Sequence, residues 1–346
     1  MKNPYFGTCS YDSVSDEARS QNMSSKIITT RDGSQSLFSG RFQQHYHNIA
    51  GALTESRNVF FDNTGLSRAL ADHRDITLCE VGFGTGLHVA LVEGLRKRIG
   101  SRSQVHYYSV EKYPLEGDVV RQMGFGRICP GMDEEVGQIA DALFSAREGD
   151  RVSVTLTSDQ QADGPDEPKH ANSPKNQPVS EKKSDKKTGK PSQKTPGKVA
   201  GLLAASEGAE YHERGNPAVY PMPTGTPFTR VEVYRGDFHD WDMTTLNRKA
   251  DFILHDAFSP DVNPDLWTVA TFRKLLQAAG PQAMLGTYCS STRARAAMLL
   301  AGWHVGRVPG PPGKREVTIA SPDEAMLAGF KRVNEALLMD RFREEL

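Results

Sequence analysis

The chain has 346 residues, more than one minimal domain needs and few for two large ones. Its net charge of −1 gives no overall electrostatic pull towards nucleic acid, and a hydrophobic fraction of 37% means that a polar stretch dilutes the globular part. The four cysteines, Cys9, Cys79, Cys129 and Cys289, stand far apart with no C-x-x-C pair, which argues against a paired-cysteine zinc site and fits a reducing compartment; with no signal-peptide core and no bilayer-length apolar run, a soluble cytoplasmic protein is expected.

Residues 1–25 are polar and aperiodic, and a loose, disordered tail is expected there. Ile27-Ile28-Thr29 reads as a strand and Asp32-Gly33-Ser34 as a turn. Phe42, Tyr46, Ile49 and Leu53 recur at helical spacing. Strands are expected at Ile76–Val81 and Val105–Val110, the second ending at Glu111. Arg151–Leu156 alternates like a strand, and so does Thr229–Tyr234; the two are expected to pair. Between them, residues 158–200 hold few large apolar side chains and bury too little surface to offset the entropy of ordering, so a disordered insertion is expected. Its Lys182-Lys183 and Lys186-Lys187 fit a solvated linker or an RNA-binding arm. Further strands are expected at Asp251–Asp256 and Ala283–Tyr288, and helices at Leu266–Ala279 and Thr292–Ala301. Trp303–Val308 and Glu316–Ala320, joined by a Pro/Gly turn, suggest a terminal antiparallel hairpin. A helix over 331–346 closes the chain. The alternation predicts a Rossmann-like α/β fold with a mostly parallel twisted sheet over 26–330.

The most informative stretch is Glu80-Val81-Gly82-Phe83-Gly84-Thr85-Gly86, a strand end that turns through glycines into the helix-like segment beginning at Leu87. Glycines let the backbone approach a ligand closely. The carboxylate of Glu80 would repel a phosphate but suits the sulfonium and ammonium of S-adenosylmethionine. The G-x-G-x-G spacing also departs from the G-x-G-x-x-G of dinucleotide sites. Three more acids close strands at the same sheet edge. Glu111 stands where an acid takes both ribose hydroxyls, Asp237 where one accepts from an adenine amine, and Asp256 opens the loop Asp256-Ala257-Phe258-Ser259-Pro260-Asp261-Val262-Asn263-Pro264-Asp265-Leu266-Trp267. Each acid alone also fits a helix cap or a solvated loop; the four together point to one crevice. Phe258 and Trp267 fit either a wall for a planar base or ordinary packing.

Six stretches resemble the methyltransferase domain of the MnmC family and its stand-alone relatives. They are Asp32-Gly33-Ser34 with Leu37-Phe38-Ser39; Tyr46-His47-Asn48 with Gly51-Ala52 and Glu55; Glu80 to Leu87; Val110 to Leu115; Asp256 to Trp267; and Lys314-Arg315-Glu316. The resemblance implies a class I fold, S-adenosyl-L-methionine as cofactor without a metal, and N-methylation of 5-aminomethyl(-2-thio)uridine at the tRNA wobble position. It implies Asp256 as catalytic residue; Glu80, Gly82, Gly84, Gly86, Glu111 and Asp237 around the cofactor; and Tyr46, Glu55, Phe258, Trp267, Lys314 and Arg315 towards the substrate. This chain departs from the family at Val262, where Lys is usual, and in its long insertion before Asp237. No second glycine-rich domain follows residue 320, so the flavin-dependent half of the bifunctional family members is not expected here, and other wobble-uridine enzymes would act upstream. Two other readings stand beside it: a class I methyltransferase or polyamine-synthase-like transferase acting on a small amine, and a non-catalytic relative that binds RNA or a partner.

Overall fold

The computed structural model describes residues 25–157 and 225–344. The tail through residue 24 and the 158–200 insertion lie outside the described residues, which belong to one unit. A small antiparallel sheet comes first, with strands β1 (Lys26–Thr29), β2 (Gln35–Ser39) and β3 (Gln44–His45). Asp32 organises the turn between β1 and β2, its Oδ1 accepting from the Ser34 N–H at 3.0 Å. The helical spacing of Phe42, Tyr46, Ile49 and Leu53 does not make a helix. Phe38 pairs with His45 across β2 and β3, and Gly51, at φ 153°, breaks the chain before α1 (Ala52–Ser56). Phe42 and Tyr46 instead reach the cavity from an irregular arm, Ile49 is exposed, and Leu53 falls in α1. A π-helical turn, Arg57–Asp62, follows α1 and leads to α2 (Leu66–Ala71).

The main domain then alternates: β4 (Ile76–Val81), α3 (Leu87–Arg98), β5 (Gln104–Glu111), α4 (Gly117–Arg121), α5 (Met132–Ser145), β6 (Arg151–Thr157), β7 (Phe228–Arg235), β8 (Ala250–His255), α6 (Val269–Ala278), β9 (Ala279–Thr287), α7 (Thr292–Ala301), β10 (His304–Pro309), β11 (Glu316–Ser321), β12 (Lys331–Arg332) and α8 (Glu335–Phe342). Among the described residues nine strands form one sheet in the order β12-β10-β11-β9-β8-β4-β5-β7-β6. Strands β7, β5, β4, β8 and β9 run parallel, whereas β11 is antiparallel to both β9 and β10 and forms the expected hairpin with β10. Arg151 pairs with Tyr234 and Thr157 with Phe228, so β6 and β7 pair antiparallel as their alternation predicts. At the C-terminal end, the described helix occupies Glu335–Phe342 behind a two-residue strand.

All six residues of β4 are buried, because helices cover both faces of a central parallel strand. Side chains alternate between the faces: Leu78, Tyr107 and Leu254 join one core, while Cys79, Tyr108 and Ile253 join the other. The chain leaves β4 towards β5 on one side and later returns to β8 on the other, so the topology reverses at the carboxyl end of β4, where open α/β sheets hold ligands. No helix among the described residues is long and apolar enough to cross a membrane.

Candidate active site

A cavity of about 480 Å³ opens at that reversal point, a volume suited to a cofactor-sized ligand. Its floor is the glycine turn between β4 and α3. Gly82, Gly84 and Gly86 all adopt positive φ, at 92°, 55° and 77°. At Gly86 a side chain would also collide, since an added Cβ would stand 2.3 Å from Val136 Cγ1. At Gly84 it would come 3.2 Å from the Tyr46 ring, so glycine there lets the arm close onto the turn.

The four strand-end acids all face this cavity. Glu80 is 1% exposed, and both its oxygens are engaged, Oε1 with His88 Nδ1 at 2.7 Å and Oε2 by the Ser109 hydroxyl at 2.8 Å. Glu111 accepts from the Gly84 N–H at 2.8 Å and from the Tyr113 N–H at 2.7 Å. Burial outweighs these donors and raises its pKa. Each of its oxygens keeps a second lone pair, enough to accept a pair of hydroxyls. Asp237 accepts from Lys112 Nζ at 2.7 Å and from the His239 N–H at 2.8 Å. Burial works to raise its pKa, but the Lys112 and His239 donors prevail and hold it below the usual range. Asp256 sits just beyond β8. Burial pushes its carboxyl up to about 8; Glu55 and Glu80 add to the rise, while His88 and Lys314 oppose it.

The remaining sequence candidates divide. Tyr46, Glu55, Phe258 and Lys314 line the cavity, whereas Trp267 and Arg315 do not. Phe258 stacks on Phe42 with centroids 4.3 Å apart and meets Tyr46 edge-on at 5.1 Å. Trp267, 4% exposed, packs instead on His255, Phe272 and Tyr288, and its Nε1 donates to the Phe258 carbonyl at 2.8 Å. Arg315 is exposed on the β10–β11 turn. Lys314, from the same turn, reaches inward: its Nζ lies 4.3 Å from the Tyr288 ring centroid and pairs with Glu55. Val262 is exposed on the loop after Asp256.

Several cavity residues escaped the sequence reading. His88, in the first turn of α3, bridges Glu80 and the Ser56 hydroxyl, which it meets through Nε2 at 3.2 Å. Burial alone would lower its pKa, but the hydrogen bond and charge of Glu80, with Asp256 and Glu55 beyond, raise it. His47 is the opposite case: burial and the neighbouring His88 push it down to about 3, so it is neutral. Phe42, Gln44 and Tyr288 complete the wall. Position was the usable signal: His88 directly follows the glycine turn and Leu87, and Phe42, Gln44 and His47 flank Tyr46, whereas Tyr288 lies far off in the chain.

Among the described residues six carboxyl groups (Glu55, Glu80, Glu111, Asp237, Asp256 and Asp265) line the cavity against Lys112, Lys314 and His88 with its raised pKa, an acidic excess even with Asp256 protonated. That excess of negative charge favours cationic ligands and disfavours phosphates. The donor set therefore fits S-adenosylmethionine: acids for its cationic centre, a glycine turn for close approach, and Glu111 with lone pairs to spare.

Comparison with known proteins agrees. Residues 222–323 match the model of a family described as S-adenosyl-L-methionine-dependent methyltransferase. The chain is 25% identical over 297 residues to the tRNA 5-methylaminomethyl-2-thiouridine biosynthesis bifunctional protein MnmC of Delftia acidovorans, covering 85% of this chain and 34% of that protein. It is 23% identical over 298 residues to the protein of the same name in Cupriavidus metallidurans, covering 85% and 33%. It thus spans about a third of the length of the curated relatives it matches. The crystal structure of MnmC2 from Aquifex aeolicus superposes with a TM-score of 0.53 at 20% identity, covering 93% of this chain and 78% of that one, and shows the shared fold. The chain therefore shares its fold with that structure, and over residues 222–323 it matches the S-adenosyl-L-methionine-dependent methyltransferase model.

Proposed function

We propose that the protein methylates the primary amine of 5-aminomethyl(-2-thio)uridine at the wobble position of tRNA, giving 5-methylaminomethyl(-2-thio)uridine. The observation that carries this reading is Asp256 at the tip of β8, in the same cavity as Glu80 and Glu111 and beside the Phe258 ring. The names of the bifunctional relatives support it. In this reading residues 26–330 are one methyltransferase domain interrupted by the 158–200 insertion, working in the cytoplasm on substrate whose aminomethyl arm upstream wobble-uridine enzymes install.

The cofactor is held by Glu80, Gly82, Gly84, Gly86, Glu111 and Asp237, and when bound it supplies a methyl group activated on a sulfonium. A primary alkyl amine is mostly protonated at neutral pH, and an ammonium has no lone pair to attack with. Asp256 takes that proton. Its raised pKa in the free site suits a base working near neutrality, and the entering ammonium favours its ionised form. The freed amine then has the lone pair it needs to accept the methyl group that the cofactor would supply, and the proton passes from Asp256 to solvent. Phe258, its carbonyl held by Trp267, and Tyr46 offer faces on which a single-stranded base stacks. Glu55 and Lys314 set the charge around the amine, and Arg315 lies outside where it meets backbone phosphate.

Nucleoside mass spectrometry of tRNA from a strain lacking the protein tests this. Accumulation of the aminomethyl nucleoside, reversed by the wild-type chain, is the expected result. Efficient methylation of free small amines by purified protein, with no response to added tRNA, would instead support the small-amine reading.

A further inference from the structure

Gln44 lies in β3, on the arm beside the cavity, and is one of the residues that line it. Its Oε1 accepts from the Ser259 backbone N–H at 3.3 Å and from the Ser259 hydroxyl at 3.1 Å. A backbone N–H only donates, so the atom that faces it is the amide oxygen, and the orientation of the amide is settled by chemistry. The Nε2 group is therefore turned away from Ser259 and presents its N–H donors. Among the described residues it has no hydrogen-bond partner, and it is not a buried atom.

Ser259 stands on the loop that begins at Asp256, next to Phe258. The donors of Gln44 are thus anchored to the same short loop that carries the base and the stacking ring. In a pyrimidine substituted at C5, the neighbouring ring carbon is C4. Uracil carries a carbonyl acceptor there, and cytosine an amino donor. We infer that Gln44 is a specificity-determining residue that donates to O4 of the target uracil and so rejects cytosine. The inference rests on the uridine-methylating reading above and adds which edge of the base is read. A donor aimed at a carbonyl stabilises the correct base and meets only another donor in the wrong one, so discrimination comes from an unpaired polar group as much as from the bond gained.

The test uses the full chain and anticodon stem-loops carrying 5-aminomethyluridine or 5-aminomethylcytidine at the wobble position. The wild-type protein should prefer the uridine by about 100-fold in kcat/KM. Gln44→Glu keeps the oxygen that Ser259 bonds and replaces the donor by an acceptor. It should lower kcat/KM for the uridine by about tenfold and narrow or invert the preference. The added charge acts on both stem-loops alike, so the ratio is the readout. Gln44→Met removes the donor without adding charge and should also narrow the ratio, with calorimetric S-adenosylmethionine affinity reporting that each variant is folded. An unchanged ratio in a folded variant overturns the role of Gln44 while leaving uridine methylation in place. A wild-type protein that methylates neither stem-loop overturns the functional reading and this inference together.

Discussion

Lys314 Nζ lies 2.7 Å from Glu55 Oε1, joining the β10–β11 turn to α1 in the lining of the cavity. Glu55 also accepts from the backbone and side-chain amides of Asn48, each at 3.2 Å, so this one carboxylate ties the arm, the helix and the hairpin together.

Replacing Lys314 by Met leaves the Glu55 carboxylate without its cation. A loss of about 2 kcal/mol in unfolding free energy at neutral pH is expected, as for a partly buried charge deprived of its partner. Lys314 lowers the Asp256 pKa whereas Glu55 raises it, so the substitution raises it further. The acidic limb of the kcat/KM profile should move to higher pH, and Lys314→Arg should restore it. An unmoved limb would remove Lys314 from the electrostatics of Asp256.

Asp256→Asn should cut turnover by roughly 100-fold or more, the scale of a positioned base, with cofactor affinity little changed. It should also change stability in a pH-dependent way. An unfolded aspartate titrates near 4, and the folded one is pushed up to about 8. The native state therefore holds the proton more tightly, and wild-type stability falls as pH rises through that window. Asn does not ionise. The variant should match the wild type near pH 4 and exceed it by several kcal/mol above pH 8, since each pKa unit is worth about 1.4 kcal/mol, measured by denaturant titration without ligand.

Glu111→Gln has one acceptor oxygen where two backbone donors, Gly84 N–H and Tyr113 N–H, converge. Its NH₂ must face one of them. S-adenosylmethionine affinity should fall by at least about tenfold in calorimetry, with the turn loosened as well. Wild-type affinity would place the cofactor's polar contacts elsewhere.

Trp267→Phe removes the donor to the Phe258 carbonyl while keeping much of the packing around His255 and Tyr288. The loop after Asp256 should lose its anchor. We expect a raised KM for tRNA and a several-fold lower kcat, with unchanged cofactor affinity, because Trp267 acts through Phe258. A cofactor defect instead would show that it supports the other half of the cavity.

The central strands were the most legible part of the chain. Ile76–Val81 and Thr292–Ala301 have in the structure the limits read from the sequence, since a two-sided buried run and a capped helix leave local signals. The arm was not legible. The spacing of Phe42, Tyr46, Ile49 and Leu53 has a helical period, yet Phe42 and Tyr46 are brought together by meeting Phe258 rather than by a helix. Trp267 shows the same limit from the other side: a tryptophan in a catalytic-looking loop is as good a buttress as a wall, and only its neighbours decide which.

Local order determined the glycine turn and the acids at the strand ends, because a strand that ends in glycine must turn and a parallel sheet puts all its carboxyl ends on one edge. What the fold alone decided is how those acids are used. Glu80 is held by His88 and Ser109, Glu111 by two backbone N–H groups, and Asp237 by Lys112, while Asp256 is the strand-end acid whose carboxyl burial drives up to about 8. Desolvation and charge pairing depend on distances of a few ångströms between residues remote in the chain, and such distances exist only once it has folded.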